Sequence, residues 1–230
     1  MPKIFGIEHI IFLAVSIPAI VAGLILVKKK VQSDRAVRIL TVIMAAAQLV
    51  WLVLNRASVA FMKEKSAIYL IPNTFCGTAS LTLPLAMLFL KKDNFVYHSL
   101  TYLGLLGGVI TMFYPDFIGQ DASVFYLPTL SGLMHHALMV FNVLMLYVTA
   151  QCRPTIKKYH YLPLALCVVM TVGLAEIEVI GFPTAMEIGG EFIPGTGLTW
   201  EVVGVMFLAL HFISLFALAL YRKKKGESFN

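Results

Sequence analysis

The side chains of this chain that are best able to do chemistry lie inside apolar segments. Cys76 lies in the third such segment, His135 and His136 in the fifth, and Glu176 and Glu178 in the sixth. Titratable groups are costly to place in hydrocarbon, so a cluster of them predicts a functional site. A thiol beside an imidazole predicts nucleophilic catalysis, because the imidazole can take the thiol proton. A carboxylate such as that of Glu176 could in turn orient the imidazole.

The segments that carry these residues have the composition and the length of membrane spans. Hydrophobic residues make up 59% of the 230 residues and charged residues 13%, whereas charged residues make up about 25% of a typical soluble domain. Each segment has close to the ~20 residues that cross the hydrocarbon core. We therefore predict an all-α, polytopic bundle of seven transmembrane helices that forms one domain over residues 1–230. The predicted spans are 8–27, 38–55, 67–90, 95–114, 127–149, 160–181 and 200–221.

Basic residues are concentrated on one side of this bundle. Fourteen of the 18 Lys and Arg residues fall in the first, third and fifth connections, at the first residue of the second span, and after the last span, whereas loops 115–126 and 182–199 carry none. Because basic loops stay on the inner side, we predict an N-terminus outside and a C-terminus in the cytoplasm. The net charge of +6 then reflects topology and attraction to anionic lipid heads, and we expect no nucleic-acid partner.

With this orientation, distance along the sequence becomes depth in the membrane. At ~1.5 Å per residue, Cys76 and the two adjacent histidines lie ~12–14 Å below the outer surface. Helical spacing defines two polar stripes, which are Ser131, His135 and Asn142 on span five and Asn73, Cys76 and Ser80 on span three. Further candidates for a pocket at this level are His9, Trp51 and His211. Since adjacent helical residues are turned by ~100°, only one histidine of the pair can point straight at Cys76.

Other functions fit parts of the same cluster. A transporter or a small-solute binding protein could use the Glu and His side chains to handle protons or a small cation. A structural or assembly factor would leave the pocket closed.

The rest of the sequence adds no further candidate for catalysis or metal binding. We interpret Cys152 and Cys167 as ordinary small hydrophobes. The sequence has no HExxH or CxxC pattern and no nucleotide-binding or GxSxG motif, so we expect neither a metal nor a cofactor.

Around these residues the chain resembles the YwaF-type integral membrane proteins of bacteria over most of its length. The landmarks are GIEHIIF with His9, Arg38 and Trp51 in span two, IPNTFCGTASLTLPLA around Cys76, Pro115-Asp116, HHALMV around His136, and RPT from Arg153. The cysteine segment of that family usually reads LPLHLC, and Thr74 stands here in place of its histidine. The resemblance implies a multi-pass protein of the bacterial cell membrane.

The resemblance also implies an activity. Eukaryotic relatives of that family resemble membrane acyltransferases that move fatty acyl chains onto ether phospholipids, with a Cys and a His spaced much as Cys76 and His136 are here, 60 residues apart. This implies a lipid acyltransferase or ester hydrolase with a Cys–His dyad in an outward-facing pocket, whose partners are membrane phospholipids or fatty-acyl lipids. A more distant group comprises threonine-dependent hydrolases of fatty-acid esters, for which Thr74 and Thr78 are the matching candidates.

Overall fold

The structure is a computed structural model that describes residues 5–115, 123–191 and 196–226. The described residues form seven α-helices, which are α1 (Ile7–Lys30), α2 (Asp34–Ser58), α3 (Phe75–Phe89), α4 (Phe95–Phe113), α5 (Leu127–Val148), α6 (Tyr161–Ala175) and α7 (Trp200–Lys224). Single π-helical turns extend α2 over Val59–Lys63 and α6 over Glu176–Ile180, and short 3-10 turns cover Ala67–Leu70 and Ile156–Lys158. Six of these helices are long and apolar enough to cross a membrane, and α3 is a shorter apolar helix. The prediction of an all-α polytopic bundle is therefore confirmed.

The third predicted span is not one continuous helix. After the 3-10 turn Ala67–Leu70 the backbone is extended at Ile71, and α3 begins only at Phe75. Pro72 disfavours helical backbone at the residue before it, and the Thr74 hydroxyl caps the new helix by accepting from the N–H of Gly77 at 3.1 Å. The prediction of a span over 67–90 was wrong in this respect. Cys76 consequently lies in the first turn of a helix and not in the middle of one.

Helix α5 is the centre of the bundle. It packs against α2 and α4 and also contacts α1 and α3. Leu83 and Met87 of α3 and Met139 and Val143 of α5 belong to the same buried core. A Cβ added to Gly108 of α4 would lie 2.6 Å from the Val140 side chain, so glycine is what lets α4 and α5 approach this closely, as small residues do between membrane helices.

Polar contacts join the basic connections at one end of the bundle. Arg38 donates to the carbonyl oxygens of Met87 and Leu88, at 2.8 and 2.6 Å, so the start of α2 is tied to the end of α3. The Asp93 N–H donates to the Gln151 carbonyl oxygen at 2.9 Å, and this bond joins the α3–α4 connection to the segment after α5. These are the connections whose charge predicts a cytoplasmic face.

Candidate active site

A cavity of about 250 Å³ lies at the end of the bundle opposite to the basic connections. It is enclosed by the last turn of α2, the start of α3, the last two turns of α4, the middle of α5, the loop after α6 and the first turns of α7. Its walls are mostly apolar, and its reactive side chains are Cys76, His135, His136, Arg56 and Glu187. The structure thus brings the thiol and both adjacent imidazoles to one cavity.

The Cys76 thiol is held by α4. Its sulfur lies 3.4 Å from the Thr111 Oγ1 and 3.6 Å from the Gly107 carbonyl oxygen. Neither imidazole is within hydrogen-bond distance of it in the described part of the chain. Cys76 is the second residue of α3, and the N–H groups at the start of a helix carry partial positive charge. This end of α3 therefore attracts an anion that forms in the cavity.

The two histidines differ in the state of their ring nitrogens. The His136 Nδ1 lies 2.6 Å from the Gly132 carbonyl oxygen, which can only accept, so Nδ1 carries the proton. The Nε2 of the neutral ring is then a basic lone pair, and it has no hydrogen-bond partner among the described residues although His136 is only 3% exposed. The His135 Nδ1 instead pairs with the Ser80 hydroxyl at 3.0 Å. The geometry therefore favours His136 as the base.

Arg56 is the cation of the cavity. Its Nε and Nη2 donate to the Asn55 Oδ1 at 3.2 and 2.8 Å. The Asn55 Nδ2 in turn donates to the Pro128 carbonyl oxygen at 2.9 Å and lies 3.4 Å from the Ser131 hydroxyl. Within the described ranges no carboxylate lies within ion-pair distance of Arg56. The guanidinium is therefore positioned by α5 and available to an anionic group in the cavity.

Glu187 is the carboxylate of the cavity. It lies in the loop after α6, and burial raises the pKa of its side chain. Met186 and Glu187 both have left-handed backbone, with φ of 51° and 58°. The Met186 N–H donates to the Asn73 carbonyl oxygen at 2.9 Å, which fastens this loop over the start of α3. The role of Asn73 here is therefore a backbone one.

Other residues that the sequence placed in this pocket lie elsewhere. Glu176 and Glu178 are on the π-helical turn after α6 and outside the cavity; Glu176 is buried and Glu178 is exposed. His211 lines a separate cavity near the other end of α7. A similar predicted depth did not bring these residues into the cavity, because residues at one level of a bundle can face different neighbours. A carboxylate does line the pocket, but it is Glu187 of the following loop.

The remaining candidates serve contacts between helices. The His9 Nε2 lies 2.8 Å from the Met112 carbonyl oxygen and so links α1 to α4. The Asn142 Nδ2 donates to the Gln48 Oε1 at 2.7 Å and links α5 to α2. Trp51 is half-buried on α2 and does not line the cavity. His9 and Asn142 therefore stabilise the scaffold around the site.

Four residues of the site were not predicted from the sequence, which are Arg56, Gly107, Thr111 and Glu187. Gly107 and Thr111 carry a usable signal, because their spacing of four puts them on one face of α4. Arg56 is one of the four basic residues outside the basic connections, and nothing in the sequence distinguishes it from the others. Glu187 gave no signal, since its place depends on the path of a loop.

Comparison with known protein families identifies the family of this chain. Residues 4–175, most of the chain, match the model of the TMEM164 family, and the chain belongs to that family. The matched range contains Arg56, Cys76 and both adjacent histidines, and it ends before Glu187 and α7. No curated protein and no solved structure matches the chain. Family membership and the apolar helices together identify a multi-pass membrane protein.

Proposed function

We propose that this TMEM164-family protein cleaves or transfers the acyl group of a lipid ester, with Cys76 as nucleophile and His136 as general base. The observation that supports the proposal is a largely apolar cavity that holds a thiol, an imidazole and a guanidinium. Among the described residues, the imidazole Nε2 has no hydrogen-bond partner and the guanidinium has no carboxylate partner. The apolar wall suits an acyl chain, and Arg56 suits the phosphate of a head group. From the resemblance to YwaF-type proteins, we propose a bacterial plasma membrane as the location of this activity.

The first half of the reaction forms a thioester. The Cys76 thiol gives its proton to the His136 Nε2 while the sulfur attacks the ester carbonyl carbon. The tetrahedral intermediate collapses, the carbon–oxygen ester bond breaks, and the leaving alkoxide takes the proton back from the imidazolium. For this step the sulfur has to turn from its contacts on α4 toward α5, as catalytic contacts often tighten only when substrate is bound.

The second half releases the acyl group. A lipid hydroxyl or a water molecule gives its proton to the His136 Nε2 and attacks the thioester carbon. The carbon–sulfur bond then breaks, and the Cys76 thiolate recovers the proton. A lipid acceptor makes the protein an acyltransferase, and water makes it an ester hydrolase.

The start of α3 is suited to the negative charge that develops in both halves. The intermediate carries that charge on the former carbonyl oxygen, next to Cys76. Backbone N–H groups at a helix start and a nearby cation stabilise such an oxyanion without having to reorganise. The first turn of α3 supplies the N–H groups, and Arg56 supplies a cation in the same cavity.

The transporter interpretation is less well supported, because it needs Glu and His side chains in one cluster. Glu176 and Glu178 do not line the cavity that holds the adjacent histidines.

The proposal is tested with purified protein and a panel of phospholipids, with and without a lysophospholipid acceptor. We expect Cys76→Ala and His136→Ala to abolish product formation, because nucleophile and base act as one unit. Cys76→Ser should be far weaker than wild type, since a hydroxyl needs a stronger base. Cys167→Ala, at an exposed cysteine of α6, is the matched control and should keep full activity. An acyl adduct on the Cys76 peptide, seen by mass spectrometry, would identify the thioester.

Full activity in Cys76→Ala would end the cysteine mechanism. It would direct attention to Thr74, which lines the cavity and caps α3, and to Thr78, whose hydroxyl lies 3.3 Å from the Pro72 carbonyl oxygen.

A further inference from the structure

A second and larger cavity, of about 660 Å³, lies at the basic end of the bundle. It is enclosed by α4, the end of α5, the segment that follows α5, and the second half of α7. Leucines of α4, α5 and α7 form much of its wall, and the exposed positions Leu210 and Ser214 show that it opens beside α7. Arg153, Arg222 and His211 are its basic side chains. A long apolar wall that ends in two guanidinium groups is a binding shape for an amphiphile.

The Arg222 side chain and the backbone at Arg153 are held in place before any ligand arrives. The Arg222 Nη1 donates to the Pro154 carbonyl oxygen at 2.8 Å, which ties the end of α7 to the segment after α5. The Arg153 N–H donates to the Asp93 Oδ1 at 3.0 Å. Within the described ranges no carboxylate lies within ion-pair distance of either guanidinium. Binding an anion here therefore costs little ordering of the segment that carries Arg153.

A buried network anchors the same segment. The Cys152 sulfur lies 3.2 Å from the His98 Nδ1 and 3.5 Å from the Thr101 hydroxyl. The His98 Nε2 lies 2.7 Å from both the Asp93 Oδ1 and the Lys158 Nζ. The interpretation of Cys152 as an ordinary small hydrophobe was therefore incomplete. Its thiol contacts two polar side chains of α4, and it directly precedes Arg153, so these contacts fix the backbone beside that arginine.

The charge of Asp93 is already balanced. The Lys158 Nζ lies 3.0 and 3.1 Å from its two oxygens. Partial burial alone would raise the pKa of Asp93, but hydrogen bonds from the Arg153 N–H, His98 and Lys158 lower it on balance. Asp93 therefore stays ionised and is neutralised by Lys158. The charges of Arg153 and Arg222 remain for a ligand.

His211 is a further polar side chain of this cavity. It is 8% exposed and packs against the Tyr102 ring with centroids 4.4 Å apart. Its Nε2 is buried and has no hydrogen-bond partner among the described residues. A polar group that reached this nitrogen would give it a partner.

We propose that this second cavity binds an anionic amphiphile, with a phosphate-type head group between Arg153 and Arg222 and the apolar chain along the leucines. Arginine guanidinium groups recognise phosphate oxygens by paired hydrogen bonds. The leucine wall distinguishes a lipid from free phosphate. This site does not depend on the chemistry proposed at Cys76.

The test measures binding of two amphiphiles that lack an acyl group, hexadecyl phosphate and hexadecylphosphocholine, to the purified full-length protein by native mass spectrometry. Both have the same hexadecyl chain, and neither has a carboxylic ester that Cys76 could cleave. We expect the phosphate monoester to bind at least about tenfold more tightly, because choline blocks one face of the phosphate and cancels its charge. Inorganic phosphate at the same concentrations should not displace it.

The variant Arg153→Gln/Arg222→Gln should weaken binding of hexadecyl phosphate by at least about tenfold. The matched control Lys223→Gln/Lys224→Gln removes the same charge from exposed neighbours outside the cavity and should bind like wild type. Ser214→Trp, which fills the cavity without changing charge, should also weaken binding. Melting temperatures of the unliganded proteins show that each variant is folded.

Three outcomes would overturn the proposal. Equal loss in the arginine and lysine variants would mean general attraction to a basic surface. Equal binding of the two amphiphiles would mean that the cavity does not recognise the phosphate charge. Displacement by inorganic phosphate at matched concentration would mean that the leucine wall contributes nothing.

Discussion

The Cys76 sulfur contacts the Thr111 hydroxyl on α4 at 3.4 Å, although it shares a cavity with two imidazoles on α5. The thiol of Cys76 thus rests against α4, whereas in the proposed reaction it gives its proton to His136 of α5. Thr111 lies four residues after Gly107, whose carbonyl oxygen is the other contact of the sulfur. One face of α4 therefore sets the resting position of the nucleophile.

The first prediction concerns that hydroxyl. Thr111→Val keeps the shape of the side chain but removes the donor that would stabilise a thiolate, whereas Thr111→Ser keeps the donor. We expect alkylation of Cys76 by iodoacetamide to slow by roughly tenfold in Thr111→Val, as for loss of a hydrogen bond to a charged group. Peptide mass spectrometry follows the Cys76 peptide separately from those of the other cysteines. Unchanged labelling in Thr111→Val would remove Thr111 from the site.

A second prediction uses the glycines of α4. A Cβ at Gly107 would lie 3.0 Å from the Cys76 sulfur and 3.2 Å from the Phe75 ring, so Gly107→Ala should displace the nucleophile and lower activity by an order of magnitude or more. Gly104→Ala is the control, because its Cβ would meet only Met139, Leu83 and Val143 at 3.3 to 3.4 Å. Similar activities in the two variants, at similar melting temperatures, would argue against a constrained sulfur.

The third prediction separates the two histidines. His136 holds its proton on Nδ1 through the Gly132 carbonyl oxygen and has a free Nε2, whereas His135 is paired with Ser80. We expect His136→Ala to lose the roughly 10²- to 10⁴-fold that a general base contributes. His135 packs against the His136 ring with centroids 4.0 Å apart, so it helps to position the base but does not take the proton. His135→Ala should therefore keep measurable activity. The opposite ranking of the two variants in an ester-cleavage assay would make His135 the base.

The sequence was sufficient for an all-α bundle of apolar helices, because hydropathy predicts such segments. It also put Cys76 and the adjacent histidines at one depth, and they line one cavity without a direct hydrogen bond. It was not sufficient for the start of α3, since Pro72 and Thr74 interrupt an apolar stretch that hydropathy treats as continuous. Nor could it distinguish Glu187 from Glu176, because a loop path and the facing of a helical turn decide which carboxylate reaches the cavity. Such choices depend on contacts between distant segments and have no local signature.

The fourth prediction concerns pH. The pKa of Asp93 is lower in the folded protein than in the unfolded chain, so its ionised form contributes stability at neutral pH that is lost as the pH falls through the folded-state value. Asp93→Asn should destabilise at neutral pH by no more than about 1 kcal/mol, because the carboxylate is exposed to solvent. Asparagine tolerates the left-handed backbone at this position, where φ is 59°.

Thermal unfolding of both proteins at a series of pH values checks this prediction. The difference in melting temperature should shrink toward zero in acid. Asp34→Asn, at an exposed carboxylate of α2, is the control for a general effect of charge. A difference that stays constant down to the most acidic buffer would show that ionisation of Asp93 is not its source.

The last prediction is the orientation of the protein, on which the access of lipids to each cavity depends. The contacts of Arg38 with the end of α3 and of Arg222 with Pro154 gather basic connections at one end of the bundle. A single basic end is the arrangement that the positive-inside rule places in the cytoplasm. A reporter fused after Asn230 should therefore be cytoplasmic, and one inserted in loop 115–126 should be outside.

This orientation decides which leaflet supplies each cavity. The Cys76 cavity would receive its ester from the outer leaflet, and the Arg153–Arg222 cavity its anion from the inner leaflet. If the C-terminal reporter is found outside, these two leaflets exchange roles, and hexadecyl phosphate added to the outer face of sealed vesicles should reach the arginine cavity.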